Sequence, residues 1–346
     1  MKKECILYKQ LKNKQVLCTC CNHYCVIGEG NVGKCGIRKN VDGKLYLLVY
    51  GKSLGIHIDP IEKKPLYHFL PGTEIFSFGT AGCNFRCSFC QNWQMSQLKG
   101  NSRLDIEKIG EDLLPEEVIE YCMKNKIPSI AYTYNEPTAF FEYAFETMKL
   151  AKKNKIKNIF VSNGYESKEI LKMTKGYLDA INIDLKSFSS EFYEKYCGAK
   201  LELVLKNIEY FTKKTSVWTE VTTLIIPGEN DSEKELKSIA KFLANLREDI
   251  PWHISAFYPS YKMMDHKATE FETLKKAYDI GKKAGLKYVY IGNVANNGFE
   301  NTYCYTCSEL LIKRNGYNVE KIDFDGKCLK CKTKVSGAFK ELRVKS

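Results

Sequence analysis

The sequence predicts an α/β protein. Parallel strands alternate with helices through the middle of the chain, and small cysteine-rich metal-binding segments flank them. Two observations predict this. From about residue 73 to residue 292 short apolar runs rich in β-branched and aromatic residues alternate with longer amphipathic stretches, the rhythm of strands joined by crossover helices. The 15 cysteines fall mostly into three groups, one before this region, one near its start and one after it. With 346 residues the chain has room for one large domain plus appendages.

Residues 1–72 read as an irregular cysteine-bearing segment with some strand. Leu45-Tyr46-Leu47-Leu48-Val49-Tyr50 is its strand candidate, and Pro60, Pro65 and Pro71 interrupt regular structure after it. In residues 73–292 the candidate strands are Glu74–Gly79, Ser129–Tyr134, Asn158–Ser162, Ala180–Leu185, Val217–Ile226, His253–Phe257 and Tyr288–Ile291. Helices are expected between them, among others over Pro115–Asn125, Ala139–Lys153, Glu233–Leu246 and Thr269–Ala284. Pro115 suits a helix first turn, and Asp231-Ser232 offers a cap before Glu233. About six βα units result. Periodicity alone leaves open a doubly wound sheet or an open, partial barrel. Residues 293–346 lose the βα rhythm and read as a small metal-bound module.

Composition sets bounds on function. Lys and Arg outnumber Asp and Glu, 53 to 41, for a formal net charge of +12. A basic balance, two CxxC pairs and many aromatics are also features of a metal-stabilised nucleic-acid-binding protein, the rival from another class. The lysines are scattered, however, and the aromatics fall within strands and helices, where core packing accounts for them. The N-terminal stretch lacks a secretory apolar core, and no apolar run has the length of a membrane span, so a cytoplasmic location is expected. In that compartment clustered cysteines bind metals or react more often than they form disulfides.

The chemistry centres on Gly79-Thr80-Ala81-Gly82-Cys83-Asn84-Phe85-Arg86-Cys87-Ser88-Phe89-Cys90-Gln91-Asn92-Trp93. This stretch follows the first expected strand, so Cys83, Cys87 and Cys90 sit on a loop at a strand's C-terminal end, where βα folds place their active sites. Three thiolates each hold one iron of a cubane cluster and leave the fourth iron open for substrate. The alternatives are unligated cysteines in a turn and a zinc site completed by a residue elsewhere, although structural zinc usually takes four ligands as two close pairs, which the x3, x2 spacing fits poorly.

Cys83-x3-Cys87-x2-Cys90, with aromatic Phe89 before the last cysteine, resembles the defining motif of the radical S-adenosylmethionine (radical SAM) superfamily. That resemblance implies a partial (β/α)6 TIM-like barrel. It also implies a [4Fe–4S] cluster whose open iron is chelated by the amino and carboxylate groups of S-adenosylmethionine. One-electron reduction then splits the cofactor to a 5′-deoxyadenosyl radical that abstracts hydrogen from substrate. Tyr132-Thr133-Tyr134-Asn135-Glu136-Pro137 stands where the family has a Gly-Gly-Glu motif. Its glycines are absent, so Asn135 and Glu136 alone carry over. Val161-Ser162-Asn163-Gly164 and Asn182-Ile183-Asp184-Leu185-Lys186 look like segments lining the S-adenosylmethionine pocket of glycyl-radical-enzyme activases, which implies cofactor contacts for Asn163, Asp184 and Lys186. The plainer readings are a turn at Asn163-Gly164 and a surface ion pair at Asp184/Lys186. His253, on the sixth strand, is a further cofactor-binding candidate, with a buried structural histidine as the alternative.

Nearly the whole chain is similar to the radical enzyme of the AmmeMemoRadiSam system, in the pyruvate formate-lyase activating enzyme-like branch. The likeness rests also on Gly33-Lys34-Cys35-Gly36-Ile37-Arg38, Leu48-Val49-Tyr50-Gly51, Tyr258-Pro259-Ser260-Tyr261-Lys262-Met263 and Tyr290-Ile291-Gly292-Asn293-Val294. It implies Memo-like and AMMECR1-like proteins as partners, and such chemistry needs an electron donor such as flavodoxin or ferredoxin. A true glycyl-radical activase is the narrower rival; such activases do not need the C-terminal cysteine pairs.

Those pairs, Cys304/Cys307 and Cys328/Cys331, have the spacing of two knuckles around one tetrahedral metal. Zinc is the first choice, in a ribbon that Gly316 and Gly326 help turn, and rubredoxin-type iron is the alternative. At the N-terminus Cys18, Cys21, Cys25 and Cys35 form a plausible ligand set for zinc or a second iron–sulfur cluster, with reactive thiols a third option that so dense a group disfavours. Cys20 is able to replace Cys21, and His23 is close enough in sequence to take part. Cys5, Cys122 and Cys197 stand alone.

Overall fold

The computed structural model describes residues 2–98, 105–295, 298–320 and 325–339. Segments 296–297, 321–324 and 340–346 of the expected C-terminal module lie outside them. Seven parallel strands form the main sheet: β1 (Glu74–Gly79), β2 (Ser129–Tyr132), β3 (Lys157–Ser162), β4 (Ala180–Asp184), β5 (Trp218–Ile225), β6 (Trp252–Ala256) and β7 (Val289–Gly292). They lie side by side in chain order. Sequential order decides what periodicity left open. Right-handed crossovers between successive neighbours put every helix on the same face, so the sheet curls into an open barrel and is not doubly wound. The strands are covered on both faces, which is why they read as nearly continuous apolar runs: the burial of Ser129–Tyr132 is complete at all four positions.

The longer helices are α1 (Pro115–Lys124), α2 (Phe141–Lys153), α3 (Lys168–Met173), α4 (Leu201–Lys214), α5 (Glu233–Leu246) and α6 (Phe271–Lys283). Pro115 opens α1, and the Ser232 hydroxyl accepts from the Glu235 amide to cap α5. Ala139 and its neighbours form a 3-10 turn, Pro137–Phe140, ahead of α2. β2 stops at Tyr132, two residues earlier than expected. Tyr134 takes φ +69°, and its hydroxyl donates to Asp59.

Two features of the first 72 residues depart from an irregular segment. Lys52–Pro60 is a nine-residue strand that pairs antiparallel with β1 and extends the main sheet, with a register shift between Leu54 and His57. Gly55 and the terminal Pro60 masked it in the sequence. The residues before it form two small three-stranded antiparallel sheets, one of them holding the expected strand as Lys44–Leu47. Their apolar residues, Val16, Ile37, Leu45 and Val49 among them, are continuous with the barrel core.

The loop 61–73 fills the barrel end from which the strands start. Asn182 Nδ2 donates to the Pro65 carbonyl, and the Tyr67 and His68 amides donate to the Glu220 carboxylate. The C-terminal segment closes this end from below. Arg314 is buried and donates to the Tyr67 carbonyl, the Leu70 amide donates to the Ala338 carbonyl, and the Ala338 amide donates to the His68 carbonyl. The opposite end, where the strands finish, carries the cysteine loop. No helix among the described residues is long and apolar enough to cross a membrane.

Candidate active site

The cysteine loop leaves β1 at Gly79 and is held from three sides. From the end of β2, Asn135 Nδ2 donates to the Thr80 hydroxyl and the Gly82 carbonyl, and its Oδ1 accepts from the Thr80 amide. From beyond β4, the carbonyls of Cys197 and Tyr196 accept from the amides of Arg86 and Ser88. From beyond β6, the Ser260 hydroxyl donates to the Cys90 carbonyl and the Lys262 amide to that of Ser88. Gly82 sits at φ +82°, and a Cβ there would lie 2.5 Å from Ile37 Cγ2 and 2.6 Å from the Cys35 carbonyl oxygen. Only glycine brings the loop this close to the N-terminal segment.

Two polar groups meet the three thiols. In the first, Lys186 Nζ lies 2.8 Å from Asp184 Oδ2 and 5.7 Å from the centre of the Phe89 ring. Burial works against the Lys186 charge, but Asp184 and Cys87 outweigh it and hold the ammonium well above its ordinary range. The same lysine and a hydrogen bond from Cys197 lower Cys87, the Cys197 bond foremost. In the second, Glu136 is buried at the end of β2. It accepts from the Asn163 amide at 2.8 Å, from the Thr138 amide and hydroxyl, and from Ser162 Oγ. Ser162 Oγ also lies 2.6 Å from Glu166 Oε1, so one hydroxyl joins two buried carboxylates. Burial, and then Glu166, push Glu136 up to about 8. Asn163 Nδ2 donates to Asn84 Oδ1 at 2.8 Å, which ties this group to the residue after Cys83.

Cys83, Cys87, Cys90, Phe89, Asp184 and Lys186 therefore come together, with Glu136 and Asn163 adjoining. Asn135 is there too, but its side chain is occupied in bracing the loop. His253 is not with them. It lies near the start of β6, with Nε2 2.6 Å from Glu220 Oε2 and its ring 4.7 Å from that of Tyr67 and 5.3 Å from that of Tyr290. That is the buried structural histidine of the alternative reading, in the plug at the far end of the barrel. Three participants had little or no sequence signal. Glu166 and Cys197 meet their partners only through the fold, and Asn84 is hidden inside the cysteine motif. Ser162 stood in a quoted segment without a role.

The Radical SAM superfamily model matches residues 78–243, from the end of β1 through most of α5. The Methanocaldococcus jannaschii protein MJ0808 is 42% identical over 331 residues, covering 95% of this chain and 97% of its own. This chain belongs to the radical SAM superfamily. The pyruvate formate-lyase-activating enzyme of Clostridium pasteurianum is 25% identical over 207 residues, 56% of this chain and 82% of its own. A solved radical SAM methyltransferase from Sphaerobacter thermophilus shares the fold, with a TM-score of 0.51 at 12% identity over 70% of this chain and 71% of its own.

Radical SAM proteins are enzymes, and the superfamily implies a [4Fe–4S] cluster and S-adenosylmethionine. The loop fits such a group. One ion bound by thiolates at about 2.3 Å keeps every pair of sulfurs within about 4.6 Å. Among the described residues only Cys304, Cys307, Cys328 and Cys331 are gathered closely enough to hold a single ion, and Cys83, Cys87 and Cys90 are not. Thiolates that each hold a different iron of a cubane stand farther apart.

The C-terminal cysteines show the opposite geometry. All four sulfurs lie within 4.8 Å of one another, with Cys304 and Cys331 at 3.5 Å and Cys307 and Cys328 at 3.6 Å. Each pair forms the same turn: Ser308 and Lys332, at φ +57° and +61°, donate their amides to the Cys304 and Cys328 carbonyls. This is a tetrahedral S4 metal site, and four thiolates leave no position for substrate.

Proposed function

We propose that this chain is a radical SAM enzyme of the activating-enzyme-like branch. It cleaves S-adenosylmethionine reductively at a [4Fe–4S] cluster held by Cys83, Cys87 and Cys90, and the resulting 5′-deoxyadenosyl radical takes a hydrogen atom from a partner protein or a small molecule. The observation that carries this reading is the cysteine trio, not gathered as a single-ion site and fixed at the strand ends where Asp184, Lys186, Glu136 and Asn163 converge. The cluster supplies the electron and one open iron. Lys186 and Asn163 are donors suited to the cofactor's carboxylate and hydroxyls, and Asp184 is an acceptor suited to a cationic amino group. Glu136, protonated more readily than an ordinary carboxyl, is poised to accept that charge once a cation lies beside it.

The likeness to the AmmeMemoRadiSam system supports Memo-like and AMMECR1-like proteins as partners, with flavodoxin or ferredoxin as electron donor. The similarity to an activating enzyme supports the narrower reading, a glycyl-radical activase. Zinc is our assignment for the C-terminal S4 site, in a structural role.

Anaerobic reconstitution with iron and sulfide, reduction and addition of S-adenosylmethionine test the reading. It expects 5′-deoxyadenosine from the parent protein and none from Cys87→Ala. A cluster that forms without cleaving S-adenosylmethionine under a strong reductant, or full cleavage by Cys87→Ala, would overturn it.

A further inference from the structure

Cys18, Cys20, Cys21, Cys25 and Cys35 line one narrow cavity together with Asn84 and Thr138. Several turns gather them. The Cys18 amide donates to the Cys25 carbonyl across a hairpin, the Tyr24 amide to that of Cys21, and the Gly36 amide to that of Gly33, around Cys35. Two nearby groups drop out as ligands. The Cys20 thiol is committed to the Thr138 carbonyl at 2.9 Å. His23 has Nε2 on the Asn84 carbonyl and Nδ1 3.3 Å from Lys34 Nζ. Cys18, Cys21, Cys25 and Cys35 remain.

Their spacing speaks to what they hold. Among the described residues only the C-terminal four are gathered closely enough to hold one ion, so this set lacks the geometry of a single-ion site. In this it matches the Cys83, Cys87, Cys90 trio, which is not gathered for a single ion either. A separate observation points the same way. Asn84, a wall of the cavity, is 3% exposed, and its Nδ2 has no hydrogen-bond partner. A buried amide donor without an acceptor costs about 1–3 kcal/mol, and a thiolate or sulfide in the cavity supplies the acceptor.

We propose that Cys18, Cys21, Cys25 and Cys35 hold a second iron–sulfur cluster, fully ligated by thiolates and adjoining the radical site. Asn84 lines this cavity and directly follows Cys83, and Gly82 abuts the Cys35 carbonyl, so the two sites share a wall. Four thiolates leave no open iron, so this cluster takes no S-adenosylmethionine. The spacing comparison rests on reading the trio as a cluster site, and the test therefore begins by removing the trio.

The full-length Cys83→Ala/Cys87→Ala/Cys90→Ala variant is reconstituted anaerobically with iron and sulfide and desalted. Acid-labile sulfide, iron, zinc and the electron paramagnetic resonance of the dithionite-reduced protein are then measured. The proposal expects sulfide and a cluster signal to persist, and to vanish when Cys21→Ala/Cys25→Ala is added. Absence of sulfide from a variant with parent-like circular dichroism overturns it, whether zinc then stands at about two ions per chain or at the one of the C-terminal site. If the triple variant does not fold, the parent protein decides. About six or eight sulfides per chain, for a second [2Fe–2S] or [4Fe–4S] cluster, with only part of the reduced signal altered by S-adenosylmethionine, support two clusters, and about four overturn the second.

Discussion

Gly82→Ala tests how the cysteine loop is held. The new methyl meets a backbone oxygen, the Cys35 carbonyl, at 2.6 Å and Ile37 Cγ2 at 2.5 Å, and the residue must also stay at φ +82°. The left-handed conformation costs a non-glycine residue about 1–2 kcal/mol. Forcing a methyl into a packed contact adds about 1–3 kcal/mol. Together these make about 2–5 kcal/mol, or a fall in Tm of about 3–7 °C for a chain of this size. The backbone can escape the clash only by moving Gly82 away from the N-terminal segment, and Cys83 moves with it. Thermal unfolding by circular dichroism and cluster iron after reconstitution are therefore measured together. The expected result is a lower Tm with reduced cluster occupancy, while metal at the C-terminal site is unchanged. A variant with parental Tm and full cluster content would refute the close packing of the two segments and the role of glycine in it.

His253→Ala separates a structural histidine from a cofactor ligand. It strips the buried Glu220 carboxylate of a partner at 2.6 Å, which costs about 3–5 kcal/mol, and it should leave S-adenosylmethionine affinity in the folded protein unchanged when measured by equilibrium binding. Cys304→Ala with Cys307→Ala should remove one metal ion per chain and raise hydrogen exchange around Arg314 and Tyr67, with the radical-site iron retained; unchanged metal content would contradict the S4 site. The Glu136/Glu166 pair gives a pH dependence. With Glu136 pushed up to about 8 by burial and Glu166, the folded protein keeps a proton that the unfolded chain releases near 4.5. Stability contributed by that proton is therefore lost as pH rises across this window. Glu166→Gln should flatten the slope of denaturant stability against pH, and an unchanged slope would show that the two carboxylates do not share a proton.

The barrel was legible because parallel strands buried on both faces write continuous apolar runs, and seven of them appeared at their places. Lys52–Pro60 escaped because Gly55 and Pro60 break its pattern and its pairing partner lies beyond another loop. The cysteine trio was legible because its chemistry is local in sequence. The carboxylate pair was not, since Glu136 and Glu166 follow different strands and meet only because β2 and β3 are neighbours. Cys197 stood alone in sequence and reaches Cys87 through the turn after β4. His253 shows the limit of a face argument. Its position in β6 says that it points inward, but only the fold says toward which end of the barrel, and that end is filled by Tyr67, His68 and Glu220.

The central claim is that three cysteines leave one iron open for S-adenosylmethionine. Its most direct test is electron–nuclear double resonance of the one-electron-reduced protein with S-adenosylmethionine labelled at the amino nitrogen and carboxylate oxygen. The account predicts that both labels couple to the cluster held by Cys83, Cys87 and Cys90, and that the couplings disappear in Cys87→Ala. A reduced cluster whose spectrum is the same with and without S-adenosylmethionine would contradict it.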